Sequence, residues 1–558
     1  MNLRSNFEKG TTRWAVRRAQ WIAMGIDEAD FEKPKIAIIN SSSNLSVCYT
    51  HLDKLSIMAQ AAVREAGGLP FEVHTVAPSD FITSAGLKAR YLLPSRDLIV
   101  NDVEVMVEGA CLDGMILLSS CDKTTPGHLM AAARLNIPSI VVPCGYQLGG
   151  QCGGRDVDIE EVYKGVGTTA TGSMTLDLLT DWTRCAIKGP GVCAGLATAN
   201  SMHCLSEALG MALSGSAPIR ADSAKLHENI RRAGKQILAL VRHDIRPRSI
   251  LTPQSIENAV RVAIALGASV NTVRHLCAIA VEAELDLDVI RLFEKNSDFP
   301  LLAQIRPNGP QRIEDLEKAG GVHAVMVRLR EKLDLDVRTV DHRSLREVLD
   351  QPWEMDANVI RNLDQPFKKD PGLVILRGNM APDGAIVKLS AVPESARVFT
   401  GPARIFEDED EAIRQLSKNA PRQIKSGDVV ILRMMGPTGG PGTVFACSFM
   451  AALVGAGFSN DVAVITDGEL SGLNRGITVG QVMPEAACGG PLAVVREGDQ
   501  VRIDLHQRKL DVLIPEAELQ ERLAHWEKPK RLAKRSWLSI YADVVQPISK
   551  GAALGRLN

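Results

Sequence analysis

The sequence predicts an α/β protein in two parts: a parallel-sheet α/β domain over residues 1–372 and a smaller β-rich domain over residues 373–558. Two observations predict it. In the first 150 residues, short apolar runs alternate with amphipathic stretches of helical length, which is the rhythm of β-α-β units. Beyond a polar, linker-like stretch at 349–372, apolar runs follow one another with little more than turns between them, as in a barrel or a sandwich with a few helices. The 558 residues are 45% hydrophobic and 23% charged, which excludes wholesale disorder and permits a large core.

KIAIIN (35–40) reads as a short buried strand, and LDKLSIMAQAAVREAGG as an amphipathic helix stopped by Gly67 and Gly68. FEVHTVA is a second strand, LPSRDLIVNDVEVMVEGA a helix, DGMILLSS (113–120) a third strand, GHLMAAARLN a helix and PSIVVP a fourth strand. In such sheets ligands bind beyond the carboxyl ends of the strands. Asn40, Asp80 and Cys121 lie at or just past three such ends. Residues 201–294 are mostly helical, with segments such as TPQSIENAVRVAIALG closed by glycine. In the last third, LVILRGN, AIVKLSAV, ARVFTG, DVVILRM, VAVITDG, PLAVVREGD, QVRIDL and KLDVLI read as strands.

Lys plus Arg total 64 and Asp plus Glu 66, so the net charge of −2 offers no bulk attraction to nucleic acid or anionic membrane. Aromatic residues at 4% are too sparse for base-stacking platforms. There is no apolar run of spanning length and no signal-peptide-like start in MNLRSNFEKGTTRW. A cytoplasmic protein acting on a small molecule is expected. In that reducing compartment, the 11 cysteines are expected to be thiols or metal ligands rather than disulfides.

Three cysteines stand in loop-like contexts: Cys48 (NLSVCYTHLD), Cys121 (SSCDKTTPG) and Cys193 (KGPGVCAG). They are too far apart in the chain for a compact zinc motif. Brought together from three loops, they would suit an iron–sulfur cluster or zinc; otherwise they are ordinary buried thiols. Asp122 either binds a hard cation such as Mg²⁺, with Asp80 joining it, or caps the helix that follows. GPTGGPG (436–442) and TDGELSG (466–472) are loops where backbone can approach a ligand, and Ser471 sits in the second. His51 reads as a strut for the Cys48 loop. Cys144 and Cys152, flanking a glycine-rich segment, are a weaker candidate metal pair.

Together, MGIDEADFEKPKIAIIN, LPSRDLI, SSCDKTTPGHLMAAARLNIPSIVV, GPGVCAGLATANSM, LRGNMAPDGAIVK, GPTGGPG, ITDGELSG and MPEAACGGPLAVVREGD resemble the dihydroxy-acid dehydratase/phosphogluconate dehydratase family, which includes the aldonate dehydratases. The resemblance runs nearly end to end. It implies an N-terminal α/β domain, a C-terminal β-barrel-like (swivelling) domain, an active site between them, and assembly as a homodimer or homotetramer. It further implies a hydro-lyase that dehydrates a 2,3-dihydroxy carboxylic acid to a 2-oxo acid, by default in the branched-chain amino-acid pathway. By motif, Cys48, Cys121 and Cys193 match cluster ligands, as in members carrying a 2Fe–2S cluster, with 4Fe–4S the alternative. Asp80 and Asp122 match Mg²⁺ ligands, Lys123 a lysine that can be carbamylated to bind metal, and Ser471 the catalytic base.

Three departures stand out against the family pattern. Phe445 occupies the place of a metal-binding glutamate, Glu469 that of an arginine, and Gln481 that of a histidine. A reversed charge at 469 disfavours an anionic substrate unless a new cation compensates. The alternatives are an aldonate dehydratase, whose branch CDKTTP and ALGMALSG resemble, a dehydratase for an unusual substrate, which the three departures suggest, or a non-catalytic iron–sulfur protein.

Overall fold

The structure is a computed structural model that describes residues 3–79, 86–170, 172–417, 419–440, 442–443, 446–470, 475–528 and 535–555. Helix α1 (Thr12–Ala23) leads into four parallel strands, β1 (Lys35–Asn40), β2 (Leu69–His74), β3 (Gly114–Ser119) and β4 (Ser139–Pro143), in the order β2-β1-β3-β4. Between them run α2 (Leu52–Glu65), α3 (Leu92–Gly109) and α4 (Thr124–Leu135). Every residue of β1 and β3 is buried, because helices cover both faces of the sheet. That two-sided burial is why these strands read as unbroken apolar runs.

After β4 the chain makes a small hairpin, β5 (Gly150–Cys152) with β6 (Arg155–Val157), and then α5 (Ile159–Ala170) and α6 (Leu176–Cys185). The helical section follows: α7 (Thr198–Ala208), α8 (Ala224–His243), α9 (Pro253–Leu266) and α10 (Asn271–Glu282), with shorter helices to residue 349. The ends of α9 show local sequence at work. Thr252 and Ser255 form a capping box, Pro253 opens the helix, and Gly267 closes it at φ 60°. Among the described residues no helix is long and apolar enough to cross a membrane.

The last third is a closed eight-stranded barrel: β7 (Val374–Gly378), β8 (Ala381–Val387), β9 (Val398–Phe406), β10 (Val429–Leu432), β11 (Ala463–Thr466), β12 (Thr478–Met483), β13 (Gln500–Asp504) and β14 (Lys509–Val512). Around the barrel the order is β10-β11-β12-β8-β7-β14-β13-β9, mixing parallel and antiparallel pairs. Alternation sorts the side chains. Val429, Ile431, Ala463 and Ile465 fill the barrel interior, while Val430, Leu432 and Val464 join the core of the α/β domain. Helix α11 (Cys447–Gly455) lies against α5, and the two helices come so close at Gly167 and Gly455 that a Cβ on either has no room.

Two segments differ from the expectation. PLAVV forms a 3₁₀ turn at Pro491–Val494 rather than a strand, opened by Pro491 at its first position. Strand β12 has no counterpart in the sequence reading. Gly480 and a register shift before Met483 interrupt its pattern, and Gln481 takes a positive φ of 53°.

Candidate active site

The site is assembled from loops at the carboxyl ends of strands. Asn40 ends β1 and donates to Asp53 and Glu72 at 2.9 Å each, fixing the exit of the chain. The loop beyond it carries Cys48. The turn after β3 carries Cys121, Asp122 and Lys123 into α4 and is closed by Ser120 N donating to Thr124 Oγ1 at 3.1 Å. Ser120 Oγ donates to the Cys48 carbonyl at 2.6 Å and draws the two loops together. His51 Nε2 donates to the Cys144 carbonyl at 2.8 Å, so it is a strut for the first loop. The Cys193 loop is held against the first by Gly191 N donating to Val47 O at 3.3 Å. Gly191 has φ 111° and packs against the backbone of Gly145 and Tyr146, where no other residue fits.

Cys48, Cys121 and Cys193 are all buried. The Cys48 and Cys121 thiols are in hydrogen-bond contact, and this contact, together with burial, pushes the Cys121 thiol well above its ordinary range. Both sulfurs lie near Ser79 Oγ, at 4.0 and 3.9 Å. Cys193 stands on the adjoining loop, its carbonyl receiving Asn200 Nδ2 at 2.7 Å. Among the described residues, no three His, Cys, Asp or Glu side chains stand close enough together to hold a metal ion. Cys144 and Cys152 are not a pair: Cys144 Sγ donates to Val142 O at 3.3 Å, whereas Cys152 packs with Trp182 and interacts with Cys185.

Asp122 does not cap its own helix. It accepts from the Thr198 hydroxyl and the Ala199 backbone at the start of α7. Burial raises its carboxyl above the usual range; Lys123 opposes that shift and Glu469 adds to it. Lys123, fully buried, donates from Nζ to Glu469 Oε1 at 2.6 Å and lies 3.8 Å from Asp122. Arg274 on α10 brings Nη2 within 2.9 Å of the same Glu469 oxygen. Burial alone would raise the Glu469 carboxyl, but Arg274 and Lys123 together hold it below its ordinary range. Glu469 and Arg274 are both 0% exposed. The Glu469 carboxylate therefore meets two buried cations, one of them from a helix remote in sequence.

Gln481 extends the network. Its Nε2 donates to Asn271 Oδ1 at 2.9 Å, and Asn271 Nδ2 donates to the Leu470 carbonyl at 2.8 Å and to Thr198 Oγ1 at 3.1 Å. A chain of polar contacts thus runs from the barrel through α10 to Thr198 and Asp122. The glycines of 436–442 have a structural cause as well. Thr438 N and Gly439 N donate to Glu485, and a Cβ at Gly436 would strike that carboxylate. Asp467 accepts from Met435 N and Ala486 N at 2.9 Å each; burial, reinforced by Glu485, pushes its carboxyl up to about 7. Asp80, Phe445 and Ser471 lie outside the described residues.

Sequence reasoning did not single out Arg274, Asn271 or Thr198. The one sign of Arg274 was the charge at Glu469, which left room for a compensating cation without locating it.

The model for the Dihydroxy-acid/6-phosphogluconate dehydratase N-terminal domain matches residues 33–348, and that for the C-terminal domain matches residues 358–552. A dihydroxy-acid dehydratase of Acetivibrio thermocellus is 42% identical over 99% of this chain and 100% of its own length. Those of Methanococcoides burtonii and Methanococcus aeolicus are 40% and 41% identical, each over 98% of this chain and 99% of its own length.

Proposed function

The chain belongs to the dihydroxy-acid/6-phosphogluconate dehydratase family, whose relatives described above are named dihydroxy-acid dehydratases, and on that premise we propose that it dehydrates a 2,3-dihydroxy carboxylic acid to a 2-oxo acid. The observation that carries the reading is the contact of the Cys48 and Cys121 thiols directly beside Asp122 and Lys123 at the end of β3.

The donors suit the groups this chemistry needs. Two buried thiols in contact, with a third on the adjoining loop, suit an iron–sulfur cluster held by Cys48, Cys121 and Cys193. The Asp122 carboxylate and Glu469 Oε2, which is buried with no hydrogen-bond partner among the described residues, offer hard oxygens for Mg²⁺, and by its motif Asp80 would be a further ligand. When bound, cluster and Mg²⁺ supply Lewis acidity toward the departing hydroxyl and the substrate's oxygens.

The chain's own residues do the rest. Ser471 takes the C2 proton, and Asn271 fixes the Leu470 carbonyl immediately before it. Thr198 and Ala199 hold Asp122 facing the site rather than its own helix. Lys123 spans the two carboxylates, Asp122 and Glu469. Extensive burial of the loops excludes water, which strengthens each of these charge contacts.

The test is anaerobic turnover with Mg²⁺ on a panel of 2,3-dihydroxy acids, aldonates included, with 2-oxo acid detected and iron and sulfide assayed on the same sample. We expect product from a branched dihydroxy acid. A full cluster with no product from any acid would overturn the proposal and favour a non-catalytic iron–sulfur protein.

A further inference from the structure

Arg274 is an unusual residue to find in a protein interior. Its side chain is 0% exposed, one nitrogen is paired with Glu469, and its Nε and Nη1 have no hydrogen-bond partner among the described residues. Each buried, unpaired N–H forfeits the hydrogen bonds it made to water, and a charged donor forfeits more. Folding alone gives no return for that cost, because an apolar side chain on α10 would fill the same space.

The surrounding charges narrow what could complete the guanidinium. Glu469 is shared, its Oε1 already receiving Lys123 Nζ. Asp122 faces Lys123 and is held by α7. His275, next along α10, is kept neutral by burial, which holds it well below its ordinary range. Arg96, which contacts His275, is itself committed to Asp97 and to the carbonyls of Gly551 and Ala552. The unsatisfied group is therefore a cation, and its complement is an anion. Arg274 is also where a substrate would be met. It shares Glu469 with Lys123, and Asn271, one turn earlier on the same helix, holds the backbone of Leu470.

We propose that Arg274 is a specificity-determining residue that receives the substrate's carboxylate, and that Glu469 is the positioning residue that aims it. A guanidinium suits a planar carboxylate, and Glu469 restrains its rotation in advance. The charge reversal at 469 then preserves acid recognition, with the cation delivered from α10. This inference rests on the dehydratase reading for the identity of the acid.

The experiment compares the full-length holoenzyme with Arg274→Met and Arg274→Lys, after circular dichroism and thermal melting establish that each is folded. With the dihydroxy acid that the wild type turns over, Arg274→Met is expected to raise KM about ten- to hundredfold, well beyond any fall in kcat. Arg274→Lys, which keeps the charge, is expected to recover part of that loss. In parallel, a branched 2-oxo acid and its neutral 2-oxo amide are titrated calorimetrically. The acid should bind the wild type more tightly than the amide, and Arg274→Met should abolish that preference. An unchanged KM, or a fall in kcat alone, overturns the inference. If the wild type turns over no acid, the dehydratase reading fails, and the titration alone decides. Loss of the acid preference in Arg274→Met then upholds the anion site, whereas equal preference in both proteins, or none in the wild type, refutes it. Should Arg274→Met fail to fold, Arg274→Lys and Glu469→Gln take its place in both assays, each expected to weaken the acid preference and each refuting the inference if it does not.

Discussion

Replacing Glu469 by glutamine keeps the side-chain shape and removes one negative charge. Glu469 Oε1 receives Lys123 at 2.6 Å and Arg274 at 2.9 Å, and all three side chains are buried. The variant leaves two buried cations facing a neutral amide. Removing one partner of a buried ion pair costs about 3–5 kcal/mol. At a urea dependence of about 1–3 kcal/mol per molar, the unfolding midpoint falls by about 1 M or more. Deleting the second charge as well, in Glu469→Gln/Arg274→Met, removes one stranded cation, so the double variant is less destabilised than the two singles summed, by about 1–3 kcal/mol. The pH dependence follows from the sign of the shift. Arg274 and Lys123 hold the buried Glu469 carboxyl below its ordinary range, so its stabilisation is complete above that range and is lost as pH falls through the folded value. The gap between wild type and Glu469→Gln should therefore narrow toward acid. Equal midpoints near pH 7, or strict additivity in the cycle, would refute the reasoning.

Gly455→Ala places a methyl group against the Gly167 backbone and should destabilise by about 1–3 kcal/mol or more, seen as a lower melting temperature. Burial pushes His128 down to about 3 and His203 to about 4, from 6.5. Stability from each is complete above 6.5 and falls as pH drops toward the folded value, by about 1.4 kcal/mol per pH unit, so His128→Asn should flatten the acid limb of a stability curve; a parallel curve counts against the assignment. Gln481→Leu strips a donor from Asn271 and should cost about 1–3 kcal/mol in chemical unfolding. Cys48→Ser should lower the iron and sulfide content of anaerobically purified protein, whereas Cys204→Ser, a lone buried thiol, should leave it unchanged.

The fold was legible where one physical cause dominated. KIAIIN reads as a strand and is one over the same six residues, because burial on both faces makes Ile36–Ile39 uniformly apolar between two polar ends. Strand β12 was illegible because its irregularities are set by pairing with β8, a tertiary fact. PLAVV has strand-like composition, but a proline at its start and glycines before it turn the backbone instead. At the site, the adjacency of Cys121, Asp122 and Lys123 is visible in the chain. That Cys48 meets Cys121 is legible only through β-α-β topology, which puts the ends of β1 and β3 side by side. Arg274 was beyond reach: NTVRHLCAIA reads as any amphipathic helix, and only folding shows that the arginine lies opposite Glu469.

The sharing of the barrel's side chains between two cores bears on how the molecule is made. Val430, Leu432, Val464, Ile375 and Ile386 point out of the barrel and belong to the same buried cluster as the core of the N-terminal domain. Produced alone, the C-terminal third would lose the N-terminal share of that cover and present apolar surface to water and to other copies of itself. In synthesis the α/β domain emerges first, so a complementary surface is already waiting when these strands appear. Chain order thus acts as an internal chaperone, and a version of this protein permuted to make the barrel first should aggregate more readily while keeping every native contact.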